Sequence, residues 1–159
     1  MGEFAEAVQE YICDSLSARI SNSNWQTEYQ IAGTPVDVVG KSKNKLHLIE
    51  LEWRRADPAD NTAKIFRHLE SGELEANEIY VFQVFTNHYS LSSGGISSKQ
   101  KNAEFVGTVA AETFDHLIYE PVRFKMNPPK RGDSWPGGWE KTADETLEVV
   151  IDKLTNQTE

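Results

Sequence analysis

Apolar side chains recur along this chain with two different spacings. Recurrence every three to four residues predicts helices, while alternation or a short continuous apolar run predicts strands. Helical spacing covers the segments 3–20, 56–72, 97–114 and 142–154. Strand patterns cover the segments 25–33, 35–40, 45–53, 78–86 and 116–124. The chain is therefore expected to begin with a helix and three strands and then to alternate helices with strands.

This order of elements predicts one α/β (α+β) domain in which helices flank a central mixed β-sheet. A length of 159 residues fits a single domain spanning 1–159. We place its core at about residues 3–125, a Pro- and Gly-rich loop at 126–139, and a C-terminal helix at about 142–155.

The hairpin made by the second and third strands contains three acidic residues in apolar surroundings. Side chains alternate between the two faces of a strand, so Glu50 and Glu52 share one face of the third strand. Asp37, on the second strand, reaches the same place if the register sets it opposite them. Two like charges on an internal strand cost on the order of several kcal/mol unless they are compensated. A divalent cation would compensate them, and so would a solvated outer face with Lys or Arg partners; the pattern alone leaves both open.

Two short motifs carry a resemblance to a known family. "PVD" ends in Asp37, and "IELEW" contains Glu50 and Glu52. With the order helix–strand–strand–strand–helix–strand over roughly residues 3–90, they resemble the PD-(D/E)XK nuclease superfamily, which has the restriction-endonuclease-like fold. Asp37 matches the first acid of that pattern and Glu50 the second. Glu52 stands where a lysine is usual.

The resemblance implies a metal-dependent DNA endonuclease that hydrolyses phosphodiester bonds. Asp37 and Glu50 would hold Mg²⁺ or Mn²⁺, and Glu52 would complete the catalytic set. Lys64, on the helix after the hairpin, is the candidate to replace the missing lysine, although an ordinary solvated helix face is the other interpretation. The alternative function is a catalytically inactive nuclease fold that serves as a DNA- or protein-binding module.

An acid on the first helix extends the same resemblance. Several members of the superfamily add such an acid to the metal site, and Glu10, or Glu6 one helical turn earlier, fits that place in this sequence. The resemblance therefore implies Glu10 as a further metal ligand. The other interpretation of Glu10 is a plain exposed helix face.

The distribution of charge predicts where a nucleic acid would bind. The net charge of -9 argues against a general nucleic-acid coat. Two basic segments interrupt the acidic chain, with +3 over residues 41–67 and +4 over residues 121–131. We expect DNA to be the partner, contacted through Arg54, Arg67, Lys130 and Arg131. Trp135 and Trp139 either stack on bases or fold back onto the core.

The remaining composition bounds the setting of the protein. Cys13 is the only cysteine, which excludes a disulfide within the chain and a cysteine-based zinc cluster. No apolar run approaches the ~18 residues of a membrane span, and the N-terminal segment is acidic, unlike a signal peptide. We expect a cytoplasmic (intracellular) protein without membrane association, and the sequence leaves a homodimer open.

Overall fold

The computed structural model describes residues 2–156, which contain α-helices, β-strands and one 3₁₀ helix. The helices are α1 (Glu3–Arg19), α2 (Pro58–Glu70), α3 (Ser98–Thr113) and α4 (Trp139–Thr155). The strands are β1 (Asn24–Ile31), β2 (Thr34–Lys41), β3 (Lys45–Glu52), β4 (Glu78–Thr86) and β5 (Leu117–Phe124). A 3₁₀ helix, Asn87–Tyr89, follows β4 directly.

The strands form one mixed sheet whose spatial order, β1 to β5, follows the chain. β1, β2 and β3 pair antiparallel, and β4 and β5 run parallel to β3. One face, which carries Ile49 and Leu51, packs on α1 and α4, while the other face, which carries Leu46 and Leu48, packs on α2 and α3. The predicted α/β architecture, a central mixed sheet flanked by helices, is confirmed.

Element boundaries follow the sequence pattern closely, with one clear difference. β4 occupies the predicted residues 78–86, whereas α4 begins at Trp139 instead of residue 142. Gly138 precedes α4 with a φ of 75°, a left-handed conformation that glycine adopts without steric cost, and it turns the loop directly into the helix. No helix within the described residues is long and apolar enough to cross a membrane.

α3 packs on the sheet through a different face from the one its large apolar residues indicate. The pattern puts Phe105, Val109 and Ala110 on one apolar face, but only Ala110 of these is buried, while Phe105 is 69% exposed and Val109 is also exposed. The buried positions of α3 are Gln100, Ala103, Gly107 and Ala110. Gly107 lies so close to Tyr119 that a Cβ atom would come within 2.3 Å of the ring. Small residues therefore define the packed face, because they let the helix backbone approach the sheet.

α2 turns part of its predicted polar face inward. The sequence places Asn61, Lys64, Arg67 and His68 on one polar face, and the structure buries Asn61 and His68 while Arg67 stays exposed. A buried amide needs hydrogen-bond partners. For Asn61 the partner is the carboxylate of Glu52.

The Pro- and Gly-rich loop folds back onto the core. Trp139 packs edge-to-face on Phe4 and on Tyr11, with ring centroids 5.7 Å and 5.4 Å apart. Trp135 packs on Phe4 at 5.5 Å but keeps about half of its surface exposed. Of the two interpretations of these tryptophans, folding back describes Trp139, while Trp135 still presents an open ring edge to solvent.

Candidate active site

The three acids lie where β2 and β3 separate. Pairing between these strands reaches Val38 opposite Ile49 and goes no further toward the end of β3. At the next position Asp37 lies across from Glu50. The backbone N–H of Leu51 donates to Oδ2 of Asp37 at 2.7 Å. The Asp37 side chain thus replaces a main-chain partner at the opening between the strands.

Asp37, which is half-buried, and Glu50, which is buried, form a pair of like charges. Glu50 is only 4% exposed, so the solvated-face interpretation is wrong for it. Burial, followed by the negative charges of Asp37 and Glu52, raises the pKa of Glu50 well above its ordinary value. Burial also raises the pKa of Asp37, although the hydrogen bond from Leu51 opposes that shift. The pair therefore favours either a proton retained on Glu50 or a bound cation.

Glu52 is held differently from the other two acids. It is 0% exposed, and it shares a strand face with Glu50, as the alternation predicts. The Asn61 side-chain amide donates to both of its carboxylate oxygens, at 3.0 and 3.1 Å, and the Gln83 amide donates to Oε1 at 2.8 Å. Burial raises the pKa of Glu52, and these two amides oppose the shift. Amide donors, rather than Lys or Arg, thus satisfy the buried carboxylate.

The amide of Gln83 has a fixed orientation. Its Nε2 also donates to the Pro58 carbonyl oxygen at 2.9 Å, and its Oε1 accepts a hydrogen bond from the Tyr119 hydroxyl at 2.6 Å. These contacts place an N–H group of Gln83 toward Glu52. Sequence reasoning missed Gln83 and Tyr119, yet a visible signal existed: a glutamine stands in the middle of the continuous apolar run of β4.

The cations near the site have three different environments. Lys64 pairs with Asp60 at 2.9 Å, one helical turn away, and is partly exposed. Arg54 donates to the carbonyl oxygen of Pro128 and so ties the Pro- and Gly-rich loop to the end of β3. Within the described residues, no ion pair or side-chain hydrogen bond holds the Arg55 guanidinium. The structure therefore does not bring Lys64 to the acids, and Arg55 is the unpaired cation beside them.

The α1 side of the site differs from the predicted one. Glu10 lies on the exposed face of α1, while its neighbour Gln9 is buried. Nε2 of Gln9 donates to Glu28 at 3.0 Å, and Oε1 of Gln9 has no hydrogen-bond partner among the described residues. Glu28 stands across β1 from Asp37 and has a φ of 52°, which is rare outside glycine. Glu28, which accepts a hydrogen bond from Gln9, thus lies near Asp37, while Glu10 faces solvent.

The residues expected to bind DNA lie on open surface. Arg67 is exposed on α2, and Lys130 and Arg131 are exposed in the loop. The backbone N–H of Lys130 donates to Oδ2 of Asp133 at 3.2 Å, which closes a tight turn. Within residues 2–156, none of the three makes a hydrogen bond or ion pair with Asp37, Glu50 or Glu52, and Arg54, through Pro128, ties the loop to the segment that follows β3.

The donor set fits a divalent cation held by two carboxylates. Within residues 2–156, no group of three or more His, Cys, Asp or Glu side chains has metal-site geometry. Mg²⁺ needs fewer protein ligands, because it keeps several waters and commonly takes one or two carboxylates together with substrate phosphate oxygens. Asp37 and Glu50 supply such a pair, whereas the oxygens of Glu52 already accept hydrogen bonds from amides.

Of three comparisons with known proteins, one gives a similar solved structure. No family model matches this sequence, and no curated protein matches it. The chain is similar to the solved structure of SfsA from Pyrococcus furiosus in complex with Ca²⁺, with a TM-score of 0.41 and 12% sequence identity. The alignment covers 76% of this chain and 56% of that chain, so this chain spans little more than half the length of SfsA.

Proposed function

We propose that this protein is a metal-dependent nuclease that hydrolyses phosphodiester bonds in DNA. The observation that carries the proposal is the pair of half-buried Asp37 and buried Glu50 at the opening between β2 and β3. Two carboxylates with raised pKa values and no direct cationic partner among the described residues are costly to keep in a stable fold. A divalent cation offsets that cost and gives the pair a function.

The chemistry follows from the groups present. A divalent cation, when bound, polarises the scissile phosphate and makes a water molecule more acidic. Asp37 and Glu50 would hold the cation, with the Leu51 N–H fixing the orientation of Asp37. The oxygen of the attacking water bonds to phosphorus while the bond from phosphorus to one sugar oxygen breaks. The water loses a proton to solvent, and the leaving sugar oxygen gains one, which leaves a phosphate monoester and a hydroxyl.

A second candidate function is a binding module without catalysis. Glu52, which stands where the resembling family usually has lysine, is fully buried and bound to the amides of Asn61 and Gln83. In that place it presents neither an ammonium nor a free carboxylate oxygen to an attacking water. An inactive nuclease fold that binds DNA or protein would tolerate this arrangement.

Cleavage of DNA in the presence of Mn²⁺ tests the first candidate against the second. Purified protein should cut single-stranded, duplex or branched DNA with Mn²⁺, and EDTA should abolish the cutting. Glu50→Gln should reduce the rate by at least about 10²-fold, because it removes one of the two charged cation ligands. Glu112→Gln is the matched control, since Glu112 is an exposed acid on α3. DNA binding without cleavage, unaffected by Mn²⁺, would favour the binding module.

A further inference from the structure

Side-chain hydrogen bonds anchor the backbone of the segment that follows β3 at two carbonyl oxygens. The Thr86 hydroxyl donates to the Trp53 carbonyl oxygen at 2.7 Å, and the Tyr89 hydroxyl donates to the Arg55 carbonyl oxygen at 3.0 Å. Between these two anchors, the Arg54 side chain is bound to the carbonyl oxygen of Pro128. The backbone is therefore anchored at Trp53 and at Arg55 itself, within three residues of Glu52.

The anchor on Arg55 is itself part of the core. Tyr89 is 1% exposed, and its ring packs edge-to-face on Phe85 at 5.5 Å. Phe85 pairs with Glu52 across β3 and β4, so the tyrosine sits at the same end of the sheet as the acids. Burial of the tyrosine raises its pKa, which keeps the hydroxyl protonated as a hydrogen-bond donor. The position of Arg55 is thus set by the sheet and not by a free loop.

The Arg55 side chain has charge without a direct partner. Burial raises the pKa of each of the three carboxyls, and the positive charge of Arg55 opposes that effect for all three. Arg55 is nevertheless exposed and makes no ion pair within the described residues. It therefore lies near enough to act on the acids and remains free to bind a further anion.

We propose that Arg55 is a catalytic residue that binds the scissile phosphate of DNA and stabilises the negative charge that develops on it. This proposal rests on the proposed nuclease function. The guanidinium is planar, permanently charged and able to donate two parallel hydrogen bonds to phosphate oxygens. Because the backbone of Arg55 is anchored before substrate arrives, only the side chain remains to be ordered when phosphate binds. Arg55 thus supplies the cation that Glu52 cannot.

The test compares Arg55→Gln and Arg55→Lys with the parent in single-turnover cleavage of DNA with Mn²⁺. Arg55→Gln should lower the rate about 10²-fold, and Arg55→Lys should restore only part of it, because an ammonium lacks the planar fork. Guanidinium ion at low concentration should partly rescue Arg55→Ala. Arg19→Gln is the control arginine, since Arg19 pairs with Glu148. Equal rates in the parent and Arg55→Gln would overturn the proposal.

Calorimetry with Mn²⁺ alone separates this proposal from the nuclease function. Removal of a positive charge near two carboxylates should leave cation binding intact and make it roughly three- to ten-fold tighter in Arg55→Gln. Weaker Mn²⁺ binding in Arg55→Gln would show that Arg55 supports the structure of the cation site, and would overturn the proposal. Cleavage by the parent that does not depend on Arg55 would reject this role alone. Absence of both Mn²⁺ binding and cleavage in the parent would reject the nuclease function with it.

Discussion

The backbone N–H of Leu51 donates a hydrogen bond to Oδ2 of Asp37 at 2.7 Å, at the point where β2 and β3 stop pairing. A side chain from one strand thus takes the place of that strand's own main chain. The other oxygen of Asp37 takes no part in this contact. One hydrogen bond therefore links the local geometry of the sheet to the candidate cation site.

Two substitutions of Asp37 should separate its structural contribution from its ligand contribution. Asp37→Asn keeps an oxygen for the Leu51 N–H, whereas Asp37→Ala leaves that N–H without its acceptor. We expect Asp37→Ala to be less stable than Asp37→Asn by about 1–2 kcal/mol in urea unfolding. Both variants should lose Mn²⁺ binding in calorimetry. Mn²⁺ affinity equal to that of the parent in either variant would contradict the assignment of Asp37 as a ligand.

Glu50→Gln should stabilise the protein in EDTA, and the gain should grow with pH. The folded-state pKa of Glu50 lies well above the ordinary 4.5. The contribution of protonated Glu50 to the free energy of unfolding is therefore fully present below about pH 4.5 and is lost as pH rises through the folded-state pKa. Chemical unfolding at several pH values measures the difference. Saturating Mn²⁺ should stabilise the parent and not the variant, because only the parent binds the cation. A stability difference that does not change with pH would contradict the burial of Glu50 beside Asp37.

His47 should make the fold sensitive to acid. Its ring stacks on Trp25 at 5.5 Å and meets Tyr80 edge-on at 5.2 Å, and its Nδ1 has no hydrogen-bond partner among the described residues. Burial, with the charge of Lys45, lowers the pKa of His47 from 6.5 to about 4.

The unfolded chain therefore binds a proton at a higher pH than the folded chain does. The contribution of the neutral His47 ring to the free energy of unfolding is fully present above about pH 6.5. It decreases as pH falls toward 4, by up to about 3 kcal/mol. His47→Phe keeps an aromatic ring and removes the titration. In unfolding experiments, the stability of the variant relative to the parent should therefore increase as pH falls from 6.5 to 4. Parallel losses in both proteins would rule out His47 as the cause. The raised pKa values of Asp37, Glu50 and Glu52 make stability increase as pH falls, but this effect is the same in the parent and in His47→Phe.

The basic loop should contribute to DNA affinity through phosphate contacts. Lys130 and Arg131 are exposed and belong to the segment of charge +4. Each phosphate contact releases counterions and makes the slope of log affinity against log salt steeper by about one unit. Replacing both residues with Ala should therefore make the slope shallower by up to about two units. Fluorescence anisotropy at several salt concentrations measures the slope. The double variant Lys99→Ala, Lys101→Ala on α3 is the control for loss of surface charge, and a slope unchanged from the parent would exclude the loop from the interface.

The architecture was predictable from the sequence because hydrophobic periodicity reports directly on which face of an element is buried. The exception, α3, shows the limit of that signal. Phe105 and Val109 outweigh Gly107 in any hydrophobicity pattern, but the approach of the helix to Tyr119 depends on the absence of a side chain. Close packing of this kind is decided by the neighbouring strand, which the helix sequence does not contain.

The site was predictable only in part, for a similar reason. Alternation on β3 puts Glu50 and Glu52 together, and the hairpin brings Asp37 near. The partners of Glu52 come from elsewhere: Gln83 lies 31 residues further along the chain and reaches it only through the parallel pairing of β3 and β4. The sequence also does not predict that, within the described residues, Arg54 binds the loop while the Arg55 guanidinium stays unpaired, because the two arginines are adjacent.

Glu52→Lys should be strongly destabilising, even though it restores the pattern of the family that the chain resembles. Nε2 of Gln83 points toward position 52, and its orientation is fixed by the Pro58 carbonyl and the Tyr119 hydroxyl. A lysine ammonium at that fully buried position would meet a donor instead of an acceptor. A buried charge without a partner costs about 3–5 kcal/mol, and the negative charges of Asp37 and Glu50 offset part of that cost, so we expect a loss of up to that size in urea unfolding.

A second substitution, Gln83→Glu, tests whether the facing donor causes the loss of stability in Glu52→Lys. Gln83→Glu beside Glu52→Lys replaces the facing donor with a carboxylate, and we expect the double variant to recover a large part of the lost stability. Gln83→Glu alone should be destabilising, because it sets a second carboxylate against Glu52, so the two changes should be strongly non-additive in a double-mutant cycle. A stable Glu52→Lys single variant would contradict the fixed orientation of Gln83. Independent, additive effects of the two changes would show that the residues at positions 52 and 83 do not interact.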